Sequence, residues 1–117
     1  MTAATTAPMI DRALAVIAEV TEAEWPQSPQ AQDAISFKLG QFDGILAERD
    51  ALPGRDPRSV LAPDMGPDWD LADALAYLDD QALMCAQDAR NRLGQFKARE
   101  DAEVLIAARQ MAERAGL

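Results

Sequence analysis

From residue 69 to residue 117 the chain carries no proline, and its only glycines are Gly94 and Gly116. Within this stretch Leu71, Leu75, Leu78, Ala82, Cys85, Ala89, Leu93 and Phe96 recur in steps of four and three. Side chains at those offsets stack on one face of an α-helix, so the pattern predicts a rod packed lengthwise against other helices.

Composition points the same way. Alanine is the most abundant residue and aromatic side chains make up only 5%. Alanine is the strongest helix former, and its small side chain lets helix axes approach to about 8 Å. Strand formers in period-two alternation are missing. The predicted class is therefore all-α: a compact bundle of three to five helices forming a single domain over 1–117, with the small, polar residues 1–6 disordered.

A first helix is expected over 8–24, with Pro8 in the first turn, where its missing N–H has no helical partner to lose. Ile10, Leu14, Ile17 and Val20, supported by Ala13 and Val16, form its apolar face; Asp11, Arg12, Ala15, Glu19 and Glu22 fall largely opposite. Trp25-Pro26 ends it, because a residue before proline is driven out of the α region. Ser28-Pro29 restarts the chain, serine as N-cap and proline at the first helical position. This second helix reaches residue 51 and buries Ala31, Ile35, Leu39, Phe42, Ile45 and Leu46. Gly40 and Gly44, one turn apart, read as a place where another backbone comes close. Pro53-Gly54 closes the helix.

Residues 53–67 hold Pro53, Pro57, Pro63 and Pro67, too many for a regular element. They predict an ordered crossover loop pinned by Val60, Leu61 and Met65. Asp68 or Asp70 can cap the third helix. Running unbroken to residue 115 it would span about 70 Å, long for a compact domain. A bend or turn is expected, first at Gly94 and the polar run 97–101, second at Asp79-Asp80. The last helix should then bury Val104, Leu105, Ala108, Met111 and Ala112.

The chain also echoes itself. Ala31-Gln32-Asp33-Ala34 precedes Lys38-Leu39-Gly40-Gln41-Phe42, and Ala86-Gln87-Asp88-Ala89 precedes Arg92-Leu93-Gly94-Gln95-Phe96. A duplicated helical hairpin would explain this, as would chance in alanine-rich helices. Either way, Leu39, Phe42, Leu93 and Phe96 are expected core anchors, each glycine admitting a neighbour.

A net charge of −9 and a pI near 4.3 argue against direct binding to nucleic acid or to an anionic membrane. No apolar run is long enough to span a bilayer, and the N-terminus lacks a basic start followed by an apolar stretch, so a cytoplasmic location is expected. The single Cys85 cannot form an internal disulfide and reads as a buried small hydrophobe.

Catalytic chemistry has few candidates. There is no histidine, which removes the commonest general base and zinc ligand. Leu-Pro-Gly-Arg-Asp-Pro lacks the spacing and lysine of a phosphate-binding loop. Only carboxylates remain: Glu19 and Glu22, Glu48 and Asp50, Asp79 and Asp80. The basic residues Arg90, Arg92, Lys97 and Arg99 are expected to pair with acidic neighbours rather than to bind nucleic acid. Trp25 and Trp69, each at a helix boundary, read as lids over core ends.

No motif assigns a family. The function expected is non-catalytic, without metal or cofactor: a small acidic protein-binding module (adaptor, assembly factor or subunit) that dimerises or docks on another protein through an apolar helical face. One alternative is an acidic inhibitor from a phage or mobile element that occupies a basic nucleic-acid-binding groove. It would present Asp64, Asp68, Asp70, Asp73, Asp79 and Asp80, with Trp69 beside them. A second is a Mg²⁺-dependent all-α nucleotide hydrolase built on inward carboxylates.

Overall fold

The computed structural model describes residues 8–54 and 70–116, and within them every regular element is helical. Helix α1 spans Met9–Glu22, α2 spans Pro29–Ala51 and runs into a single 3₁₀ turn at Leu52–Gly54, and α3 spans Leu71–Arg114. The described helices pack against one another as an all-α bundle.

The sequence signals at the helix ends act close to where they are expected, although Pro8 is the N-cap of α1 rather than part of its first turn, and α1 ends at Glu22 rather than at residue 24. Pro8 precedes the first turn of α1, and the chain turns extended at Ala23, two residues before Trp25-Pro26. Ser28 Oγ accepts from the Ala31 N–H at 3.4 Å, with Pro29 opening α2. Asp70 caps α3, and Asp68 lies outside the described residues. Its carboxylate accepts from Asp73 N–H, and Asp73 accepts in return from Asp70 N–H. This reciprocal box satisfies two donors that the first helical turn leaves without partners. Gly116, at a φ of 75°, stops the helix in the left-handed conformation that glycine adopts without strain.

The unexpected feature is that α3 does not break. It runs unbroken for 44 residues, about 66 Å at 1.5 Å per residue. Neither Gly94 nor 97–101 nor Asp79-Asp80 interrupts it. The physical reason is that polarity does not oppose helix formation: Lys97, Ala98, Arg99 and Glu100 are all strong helix formers, and one glycine costs only about 1 kcal/mol. The molecule consequently measures 72 × 38 × 23 Å, so the bundle is elongated rather than compact.

Helix α3 is the element on which the other two pack. Glu19 meets Arg90 and Glu24 meets Lys97, so α1 runs parallel to α3; Lys38 meets Asp88 and Arg49 meets Asp79, so α2 runs antiparallel. Three apolar layers are stacked along α3. Leu52, Ala74 and Leu78 form the first; Ala13, Phe42, Ala82, Leu83, Cys85 and Ala86 the second; Val20, Ile35, Ala89 and Leu93 the third. Trp25 closes the last layer, half-buried, its Nε1–H donating to Val20 O at 2.8 Å. That is the lid expected of it; Trp69 lies outside the described residues.

The α3 seam is buried from Leu78 to Leu93 and fades at Leu71 and Phe96. Ala74 and Ala86 are fully buried as well, because two helices cover a wider arc than a single seam. On α1 the register is rotated slightly: Ala13 is fully buried while Leu14 is exposed. Alanine brings the α1 and α3 backbones close where both surfaces are small.

The glycines do not behave as expected. Around Gly40, Gly44 and Gly94 a Cβ would meet nothing within 4 Å, so no described backbone approaches them. All three face outward. The two echoed segments lie antiparallel beside each other, Phe42 sharing a core layer with Ala86, and Ala31 lining a surface recess with Phe96. Phe42 is buried but Phe96 is only half-covered, since its layer lies at the end of the hairpin formed by α1 and α2.

Candidate functional site

The helices covering α3 are shorter than α3 itself. The α1–α2 turn reaches Glu100, whose Oε2 accepts from the Gln27 N–H at 2.7 Å. Beyond that point every residue from 101 to 111 is exposed. The helix nevertheless continues to Arg114, about 21 Å past Glu100.

This projecting segment keeps the apolar pattern of the buried part. Val104, Leu105, Ile106 and Met111 are 64%, 59%, 55% and 66% exposed. At 100° per residue, Val104, Ala107, Ala108 and Met111 continue the stripe of Leu93, with Leu105 and Ala112 along one margin. Ile106 lies across the helix from that stripe. The expectation that Val104, Leu105, Ala108, Met111 and Ala112 would be buried within the bundle is therefore overturned. Their burial needed a turn that folded the C-terminal segment back, and no such turn forms.

The acidic run divides differently. Asp64 and Asp68 lie, with Trp69 and the proline-rich segment 55–67, outside the described residues. Of the rest, Asp70 and Asp73 cap their own helix. Asp79 forms an ion pair with Arg49 in which both side chains are largely shielded. Asp80 alone is simply exposed. The sequence could not show this division, because Arg49 is distant along the chain and its pairing is set by the antiparallel register of α2.

Two of the four basic residues, Arg90 and Lys97, find acidic partners on another segment rather than along their own helix. Arg90 reaches Glu19 at 3.4 Å and Lys97 reaches Glu24 at 3.8 Å, while Arg99 lies over the Phe96 ring at 5.7 Å. Such exposed pairs contribute about 0.2–1 kcal/mol each. Glu19 and Glu22 face solvent. Among the described residues no group of three or more carboxylate or thiol side chains gathers as metal ligands would.

Between α2 and α3 runs an open groove of ≈ 560 Å³, lined by Lys38, Gln41, Gly44, Glu48, Met84 and Asp88 among others. Cys85 sits at its floor, buried, its thiol donating to Lys38 O at 3.3 Å. Burial pushes this thiol above its ordinary value; the Lys38 ammonium opposes the shift and the Asp88 carboxylate adds to it. Such a thiol is a poor nucleophile at neutral pH.

The chain matches no protein-family model, no curated protein and no solved structure. No helix among the described residues is long and apolar enough to cross a membrane.

Proposed function

We propose that this protein is a protein-binding module whose three-helix body holds out a rod, the C-terminal part of α3, for a partner to grip. One observation carries the reading: Val104, Leu105 and Met111 stand more than half exposed on a regular helix that no described residue covers. An isolated helix of that length is marginal in water, and a monomer gains nothing from presenting its apolar stripe to solvent. Docking in the helix-to-helix mode buries the stripe and stabilises the rod together.

The acidic-inhibitor reading draws less support, since Asp70, Asp73 and Asp79 are engaged inside their own fold. A hydrolase reading has no converging carboxylates among the described residues to rest on.

The test is a photo-crosslinking amino acid placed at Leu105, with Phe37 on the outer face of α2 as the control position. In cells, a discrete protein adduct should form at Leu105 and disappear when Val104→Asp and Met111→Asp are added. Absence of any adduct at Leu105 overturns the reading.

A further inference from the structure

Resting on that reading, we infer that the occupant of the uncovered stripe is a second copy of this chain, bound antiparallel through residues 100–114 of α3. The internal segment 55–69 of this chain is too short to cover it. Residues 55–69 must leave Gly54 and return to Asp70, both at the opposite end of α3. The round trip to Val104 is about 90 Å, against a full extension of about 55 Å.

The stripe is complementary to itself. It is centred between Ala107 and Ala108, so an antiparallel copy about that centre sets Val104 against Met111 and Ala107 against Ala108, with Leu105 resting on Ala112. Large side chains then meet at the two ends and alanines in the middle, which permits close helix approach. The same register brings Arg114 of one copy beside Glu100 and Glu103 of the other, twice over, on one margin of the interface. A parallel pairing loses these charge contacts. It would also drive the two α1–α2 hairpins into each other, because they occupy nearly the same side of α3. Antiparallel pairing instead separates the acidic bodies by about 65 Å, many Debye lengths at physiological salt.

Sedimentation velocity on the whole chain should show conversion from monomer to dimer as concentration rises. Val104→Asp with Met111→Asp should hold it monomeric without moving the thermal unfolding of the bundle. Arg114→Glu alone should weaken the dimer several-fold, and adding Glu103→Arg should restore it. Register is read by disulfide trapping in a Cys85→Ser background: a Val104→Cys chain should cross-link to a Met111→Cys chain and not to itself. A strict monomer at millimolar concentration, or efficient self-linking of the Val104→Cys chain, overturns the inference. If the Leu105 photo-adduct contains only a different protein, the second copy is excluded while the docking function stands. If neither dimer nor adduct forms, both are excluded.

Discussion

The guanidinium of Arg49, near the end of α2, is paired with the carboxylate of Asp79 in the early part of α3. Only 28% and 20% of the two side chains remain accessible, and the contact locks the antiparallel register between the layer around Leu52 and the layer around Phe42. The neighbouring Asp80 has no such role and faces solvent.

These adjacent aspartates should therefore separate in a denaturation experiment. Asp79→Asn is expected to cost about 1–3 kcal/mol, because it leaves a shielded guanidinium without its charged acceptor. Asp80→Asn should stay within about 0.5 kcal/mol of the parent. Urea midpoints at constant m-value measure both.

The outward glycines of α2 and α3 offer stabilisation. Gly40→Ala, Gly44→Ala and Gly94→Ala should each raise stability by about 0.5–1 kcal/mol, since alanine restricts the unfolded chain and meets no neighbour. A loss at any of them would reveal a close backbone that the described fold does not contain. Thermal melts followed by circular dichroism are sufficient.

The alanine contact between α1 and α3 should resist enlargement. Ala86 is fully buried in the central layer with Ala13 and Phe42, so Ala86→Leu is expected to destabilise by about 1–3 kcal/mol through overpacking. Ala102→Leu, on the exposed part of the same helix, should be nearly neutral. Equal effects at the two positions would contradict the layer assignment.

The Cys85 thiol gives a pH signature. Its folded-state pKa lies above the ordinary value of 9.0 because burial disfavours the thiolate. Below that value the thiol is protonated in both states and pH has no effect through this group. As pH rises through 9.0 the unfolded chain loses the proton first, so folding stability falls until the folded thiol also ionises. Cys85→Ser should flatten this alkaline loss in urea titrations. At neutral pH, alkylation of native protein should be far slower than in denaturant.

The length of α3 past its support predicts uneven protection. Residues 101–111 lie exposed on α3, so amides of 101–114, though held in helical hydrogen bonds, should exchange much faster than those of residues 82–93. Hydrogen–deuterium exchange at low concentration checks this, with uniform protection along α3 as the contrary result.

Local physics made much of this protein legible in the sequence. The caps at Ser28 and Asp70, the stop before Pro26, the buried stripe of α2 and the seam from Leu78 to Leu93 all come from propensity and spacing, which act over a turn or two of chain. The continuity of the helix through Gly94 and residues 97–101 was not legible in that way, since a polar stretch reads equally well as a turn or as a helix facing water. Whether such a stretch bends depends on whether another surface waits to receive the next apolar segment. The tertiary structure decided that, and with it the exposure of Val104 and Met111. The lengths of α1 and α2 set where coverage of α3 ends, and no periodicity within α3 records how far its neighbours extend. The partners of Asp79, Arg90 and Lys97 were likewise chosen by helix direction, a property of the assembled fold rather than of any one segment.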